Sequence, residues 1–169
     1  MSPCDLPEPG LLIVSPFPLE SAELTRVART TVPHARVRAV DGIAAARTAL
    51  ASAPDIHLML VDLDGHDREL SFLKHCRSAH PRVPVAVIGS RADIVSVVRA
   101  VEAGAVGYLP KTMSVSALSA ALARLLEGGI ALPEFATSRP GATALVQAIN
   151  SMGLSNRDRT LQRPLAERE

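Results

Sequence analysis

Residues 57–63 read His57-Leu58-Met59-Leu60-Val61-Asp62-Leu63, an apolar run of four residues followed by an acid. A short run that is apolar on both alternating faces is typical of a strand that helices cover on both sides of a parallel sheet. In such a sheet the carboxyl ends of the strands open onto the edge where ligands bind. Asp62 is therefore the first candidate functional residue.

Four similar runs occur along the chain, at residues 11–14, 37–40, 83–88 and 105–109. The segments between the runs show helical spacing, for example between residues 94 and 101, where apolar residues recur at every third or fourth position. Strand and helix thus alternate five times. This alternation predicts an α/β fold with a doubly wound, five-stranded parallel sheet and right-handed crossovers.

The composition agrees with such a fold and narrows the class of protein. Apolar residues make up 47% of the chain but aromatic residues only 2%, so the core must consist of aliphatic side chains. The net charge of +1 gives no overall field that would favour nucleic acid as a partner. Two cysteines are too few for a disulfide framework. Without a transmembrane run or a secretory signal in the sequence, we expect a cytoplasmic protein.

The chain divides into three parts by composition. We expect residues 1–10 to form an N-terminal extension and residues 11–133 to form the folded domain. Residues 134–143 are rich in Ser, Thr, Pro and Gly, which is typical of a linker, and residues 144–152 have the composition of a short helix. Residues 134–169 as a whole are therefore interpreted as linker and tail.

Several strands deliver polar or small residues to the same edge of the predicted sheet. The residues that follow the strands at this edge are Ser15, Pro16, Asp62, Gly89, Ser90 and Lys111. An acid, small hydroxyl-bearing residues and an amine should therefore face one another there.

Three stretches at these positions resemble the receiver domains of NarL/LuxR-type response regulators. Residues 100–111 read Ala-Val-Glu-Ala-Gly-Ala-Val-Gly-Tyr-Leu-Pro-Lys and are similar to the last strand of that family, in which an aromatic residue precedes a lysine by three positions. Residues 11–19 and 57–63 resemble the first and third strands. The resemblance covers about 120 residues and implies a (βα)5, flavodoxin-like fold and a role in two-component (phosphorelay) signal transduction.

The resemblance also implies roles for individual residues. Asp62 takes the position of the phosphoacceptor, Lys111 that of the amine that pairs with the phosphoryl group, and Tyr108 that of the switch aromatic. In the family a Mg²⁺ ion, held partly by an acidic pair after the first strand, screens the charge of the incoming phosphoryl group.

The phosphorylation pocket departs from the family pattern. Ser15 and Pro16 replace the acidic pair and supply no charged oxygen to a hard cation. Gly89 stands at the position of the switch hydroxyl, with Ser90 one place later. We therefore expect a degenerate pocket with too little negative charge to recruit Mg²⁺, no other cofactor, and a direct ion pair between Asp62 and Lys111.

Some residues have two interpretations. Ser90 is placed near enough to contact a phosphoryl group, but with Asp93 it also fits a capping box that starts the next helix, which is the better match. Asp64 and Asp67 are either substitute cation ligands or solvated loop acids. Tyr108 is either a mobile switch or a half-buried aromatic at the edge of the sheet.

A metal site at His75, Cys76 and His80 is not expected, because their spacing does not place three ligands on one helix face.

Two functions fit these observations. The first is a non-enzymatic, atypical receiver that acts through protein contacts, with a sensor kinase, another regulator or a second copy binding to the fourth and fifth helices and the last strand. The second is a transcription regulator with a truncated or degenerate output domain. Residues 152–158 resemble the start of the second helix of a LuxR-type helix-turn-helix, but no recognition helix follows before residue 169, so this chain alone is not expected to bind DNA. The sequence shows no glycine-rich phosphate loop and no nucleophile elbow that would indicate an enzyme.

Overall fold

The computed structural model describes residues 8–63 and 67–151. Five strands and seven helices follow one another in the order β1 (Gly10–Val14), α1 (Pro18–Thr31), β2 (Arg36–Val40), α2 (Ile43–Ser52), β3 (Ile56–Leu63), α3 (Asp67–Ala79), β4 (Val85–Gly89), α4 (Ile94–Glu102), β5 (Gly107–Pro110), α5 (Val115–Leu126), α6 (Glu134–Thr137) and α7 (Ala142–Ser151). All five predicted strands are present. Their ends differ from the predicted ones by no more than two residues, because apolar patterning locates a strand better than its termini.

The strands form one parallel sheet in the order β2-β1-β3-β4-β5. The chain moves from β1 to β2 on one side and then crosses to β3 on the other, so β1 and β3 are neighbours at the point where the strand order reverses. Val14 and Val61 are paired in register there, which places the residues that follow them at the same edge. The predicted doubly wound α/β fold is confirmed, and its switch point lies at the ends of β1 and β3.

The core is aliphatic, as the composition predicts. Every residue of β1, β4 and β5 is buried, and the helices contribute mostly alanine, valine and leucine. Helices α1 and α5 pack against each other and therefore lie on the same face of the sheet. The right-handed crossovers place α2, α3 and α4 on the opposite face. None of the helices in residues 8–63 and 67–151 is both long and apolar enough to span a membrane.

Helix α4 begins later than the capping box at Ser90 would require, and that prediction is wrong. Its N-cap is Asp93, whose Oδ1 accepts a hydrogen bond of 2.8 Å from the backbone N–H of Ser96. Both serine and aspartate are good N-caps, but Asp93 directly precedes Ile94, the first residue of the apolar face, and therefore satisfies the free N–H groups of the first turn.

The segment after α5 packs against the domain. Ala131 forms a parallel β-bridge with Gly107, and α6 and α7 both contact α4. The expected linker, residues 134–143, thus contains α6 and the turn into α7, while the short helix expected at residues 144–152 is observed at Ala142–Ser151. The stretch that resembles a helix-turn-helix, residues 152–158, lies outside the described residues.

Candidate functional site

The site is built around Asp62, which lies near the end of β3 and is only 4% exposed. Ser15, the first residue after β1, donates a hydrogen bond of 2.9 Å from its Oγ to Asp62 Oδ2. The Nζ of Lys111, the first residue after β5, lies 2.9 Å from Asp62 Oδ1. At this distance the ammonium and the carboxylate form a buried ion pair. The structure thus brings together the acid, the hydroxyl and the amine expected at this edge.

A fourth residue, Glu20, completes the site and was missed in the sequence analysis. Glu20 lies in the first turn of α1, and its Oε2 accepts a hydrogen bond of 2.8 Å from Lys111 Nζ. The same ammonium lies 5.1 Å from the centre of the Phe17 ring, within the range of a cation–π contact. Lys111 is therefore held by two carboxylates and an aromatic face. A sequence signal for Glu20 existed, because an acid in the first turn of a helix that follows β1 lies near the same edge as Asp62.

The burial of this cluster alters the pKa of each ionisable group. Removal from water raises the pKa of the Asp62 carboxyl to about 6, and the neighbouring Glu20 carboxylate adds to the rise. Hydrogen bonds from Lys111 and Ser15 oppose that change only in part. The pKa of Glu20 is lowered, first by its contact with Asp62 and then by Lys111. When the cluster takes up a proton, Asp62 therefore receives it and Glu20 stays ionised.

Lys111 stays charged in this setting. Burial by itself would lower the pKa of its ammonium group, but hydrogen bonds to Glu20 and Asp62 outweigh that effect and raise the pKa above its usual value. The site therefore contains one fixed cation, one fixed anion and one carboxyl group that titrates near neutral pH.

The residues present do not fit the Mg²⁺ ion that receiver domains use. Ser15 is buried, and its Oγ is already engaged by Asp62 and by the backbone N–H of Phe17 at 3.2 Å. The cleft that opens beside Asp62 is lined by Asp62 itself, by one further acid, Glu69, and by two arginines, Arg47 and Arg68. Within the described part of the chain no three His, Cys, Asp or Glu side chains form a group that could hold a metal. Of the described carboxylates, Glu20 contacts Asp62 but is already paired with Lys111, and neither Ser15 nor Pro16 supplies the charged oxygen that would help to hold a magnesium ion at Asp62.

The other residues considered as ligands either lie away from this site or are not described. Asp64 and the side chain of Asp67 lie outside what the structure describes. Cys76 is buried in α3, whereas His75 next to it is exposed, so these two side chains point to different surroundings.

Tyr108 and Gly89 form a second contact at this edge. Tyr108 is 4% exposed, more deeply buried than expected, and its hydroxyl donates a hydrogen bond of 2.7 Å to the backbone carbonyl of Arg91. A Cβ atom at Gly89 would overlap the Tyr108 hydroxyl. Because glycine has no side chain, position 89 leaves open the space that the Tyr108 hydroxyl fills. Ser90 is exposed beside it.

Comparison with known proteins gives one sequence relative and many structural ones. No protein-family model matches the chain. The glycerol metabolism activator of Pseudomonas putida is 27% identical over 124 residues, which are 73% of this chain and 56% of that protein. The chain thus spans just over half the length of this curated relative.

Solved structures of response regulators share the fold. A LuxR family DNA-binding response regulator from Silicibacter pomeroyi is 26% identical with a TM-score of 0.67, and the match covers 75% of this chain and 98% of that one. The isolated REC domain of RcsB from Salmonella enterica serovar Typhimurium has a TM-score of 0.64 over 86% of this chain and 98% of its own, but at 16% identity it supports the fold alone. The sequence likeness and the fold likeness therefore point to the same class of protein.

Proposed function

Because the chain carries a receiver domain of the response-regulator class, we propose that it acts in two-component signalling as an atypical receiver. In this proposal it works through contacts with a protein partner, and Asp62 undergoes little or no Mg²⁺-dependent phosphorylation. The observation that carries the proposal is the closed ion cluster in which Lys111 is shared between Asp62 and Glu20.

The charge balance of the cluster disfavours phosphoryl transfer. A carboxylate that attacks a phosphoryl donor is repelled by the charge of the donor unless cations screen it. The only cation in contact with Asp62 among the described residues is Lys111, and Glu20 already neutralises part of its charge. A phosphoryl group would bring further negative charge into a site in which, among the described residues, Ser15 and Pro16 offer no charged oxygen to a balancing magnesium ion.

Access to Asp62 is also restricted. One carboxylate oxygen accepts the hydrogen bond from Ser15 and the other lies against Lys111. A carboxyl group with a pKa of about 6 is in addition partly protonated near neutral pH, and the protonated form is a weaker nucleophile. Each effect reduces the rate of attack by Asp62.

In this proposal a partner binds to the exposed surface of α4 and α5 and not to the pocket around Asp62. Exposed apolar residues lie on the helices next to the site, with Val95 on α4 63% exposed and Val115 on α5 52% exposed. Arg91 and Glu102 provide exposed charges around α4. A sensor kinase, another regulator or a second copy of the chain is the kind of partner that this surface would bind.

A direct test is incubation with acetyl phosphate and Mg²⁺, followed by intact-mass measurement. We expect the wild-type chain to remain unmodified. The double variant Ser15→Asp/Pro16→Asp restores the acidic pair and should gain one phosphoryl group, which Asp62→Asn in the same background should abolish. A clear phosphoryl adduct on the wild-type chain that is lost in Asp62→Asn would contradict the proposal.

A second candidate function is that of a DNA-binding transcription regulator, with this chain as its receiver part. Two observations favour it: the curated relative is nearly twice as long as the matched region, and the structural relative from Silicibacter pomeroyi is a DNA-binding regulator. DNA binding would then reside in an output domain rather than in the receiver domain.

A further inference from the structure

The outward face of helix α1 carries a row of four residues, called here the α1 seam. Leu19, Glu23, Arg26 and Thr30 follow one another at spacings of four, three and four residues, which place them on one face of the helix. We propose that a second copy of the chain docks on the α1 seam, with the two α1 helices antiparallel. The inference goes beyond the proposed function, whose partner surface lies on α4 and α5, and does not depend on it.

The α1 seam faces solvent. Leu19 is 87% exposed, the side chains of Glu23 and Arg26 are 52% and 59% exposed, and Thr30 is exposed as well. The buried residues of α1 lie on the other side of the helix, at Leu24, Val27 and Ala28. A second molecule that covers Leu19 would therefore remove apolar surface from water without any rearrangement of this chain.

The order of the charges on the α1 seam determines which occupant fits. A two-fold axis at the midpoint of α1 places each seam residue opposite the one that is equally far from the other end of the helix. Glu23 of each copy then faces Arg26 of the other, and Leu19 faces Thr30. A parallel second copy would instead place Glu23 opposite Glu23 and Arg26 opposite Arg26. The seam is therefore complementary to itself in the antiparallel arrangement alone.

The ion pair within each chain is compatible with this arrangement. Glu23 Oε2 accepts a hydrogen bond of 2.9 Å from Arg26 Nε, so both side chains already lie side by side on the seam. In the antiparallel dimer the two ion pairs would form a ring of four alternating charges, which keeps the contact within each chain and adds two between the chains. Contacts between exposed charges are individually weak, so we expect a reversible dimer.

Apolar surface beside the seam extends the contact area. Leu19 and Glu23 line a groove between α1 and α5, together with Leu118 and with Val115, which is 52% exposed. Among the described residues, four large apolar side chains are exposed, and two of them, Leu19 and Val115, border this groove. The two-fold axis brings the C-terminal half of the second α1 towards it. In the proposed dimer apolar contacts provide affinity, and the charges at the centre select the antiparallel orientation.

The test is sedimentation equilibrium on the full chain and on two charge-reversal variants, Glu23→Arg and Arg26→Glu. The wild type should form a dimer whose fraction rises with concentration. Each variant places like charges opposite each other across the two-fold axis, so its dimer dissociation constant should be at least about tenfold higher than that of the wild type. Both substitutions change exposed side chains only, and circular dichroism checks that the fold is kept.

An equimolar mixture of the two variants distinguishes pairing between chains from a general loss of stability. In the mixture, two arginines on one chain face two glutamates on the other, so the dimer should return as a heterodimer. A wild-type chain that stays monomeric at about 1 mM would overturn the proposal. Self-association of Glu23→Arg and Arg26→Glu equal to that of the wild type would also overturn it, as would a mixture that remains monomeric.

A matched pair of serine substitutions locates the interface. Leu19→Ser removes the apolar side chain of the seam and should weaken the dimer several-fold. Val95→Ser removes an exposed valine from α4, which lies on the opposite face of the sheet, and should leave the dimer unchanged. The reverse result would place self-association on α4 and contradict the α1 seam. None of these measurements involves phosphorylation, so their failure leaves the acetyl phosphate test unaffected.

Discussion

At the scale of single residues, the neighbours of Asp62 decide how its charge is balanced. A buried carboxylate needs compensation for its lost hydration, and Lys111 and Ser15 supply it. Glu20 in turn shares Lys111 and makes ionisation of Asp62 less favourable. Asp62 is thereby held in one cluster with Ser15, Lys111 and Glu20.

The raised pKa of Asp62 predicts a pH dependence of stability. Its folded-state pKa of about 6 lies above the unfolded value of about 3.9, so between these two pH values the folded chain binds more protons than the unfolded chain. The stabilising contribution is complete below the unfolded pKa and is lost as the pH rises through about 6. The lowered pKa of Glu20 has the opposite sign and acts at lower pH.

Asp62→Asn removes this titration and leaves the contact between Glu20 and Lys111 in place. We expect the free energy of unfolding of Asp62→Asn, relative to the wild type, to increase between about pH 4 and about pH 7, by at most about 3 kcal/mol. Urea unfolding at several pH values measures it. Asp93→Asn is the control, because the pKa of Asp93 is lowered by its N-cap hydrogen bond to Ser96, so that its difference from the wild type should change only below about pH 4 and with the opposite sign. A pH-independent difference for Asp62→Asn would mean that Asp62 ionises normally in the folded chain.

At the scale of secondary structure elements, β5 connects the ion cluster to α4 and to the segment that follows α5. Its Tyr108 is held at the backbone by Ala131 and at the hydroxyl by Arg91, in the loop that leads to α4. Its last residue is followed by Lys111. A displacement of β5 would therefore affect the contacts of Tyr108 with Ala131 and Arg91 and the ion pair between Lys111 and Asp62 together.

Gly89→Ala should displace the Tyr108 side chain, because the added Cβ atom overlaps its hydroxyl. We expect a loss of about 1–3 kcal/mol in stability and increased quenching of tyrosine fluorescence by acrylamide. Tyr108 is the only tyrosine and the chain has no tryptophan, so the signal reports this residue alone.

Gly42→Ala is the matched control for this experiment, since a Cβ atom at position 42 would meet nothing within 4 Å. It should leave the quenching of Tyr108 unchanged. Unchanged quenching in Gly89→Ala as well would show that the Tyr108 ring does not depend on the space at Gly89.

At the scale of the whole molecule, the fold and the surfaces bear on the choice between the two functions. The chain spans just over half the length of its curated relative, and its fold is that of response regulator receiver structures. Its net charge of +1 supplies no general attraction for nucleic acid. The electrophoretic mobility of total genomic DNA fragments should therefore not change when this chain is added at moderate salt. Specific, salt-sensitive retardation would favour the DNA-binding alternative.

The sequence by itself determined the number, order and type of the strands and central helices, because these follow from local apolar periodicity. It also located the edge at which Ser15, Asp62 and Lys111 meet, since the carboxyl ends of parallel strands share one edge. The position of Glu20, the inward packing of Tyr108 over Gly89 and the docking of α7 on α4 were decided only by the tertiary structure. Each of these depends on the distance between elements far apart along the chain, and local periodicity carries no information about that distance.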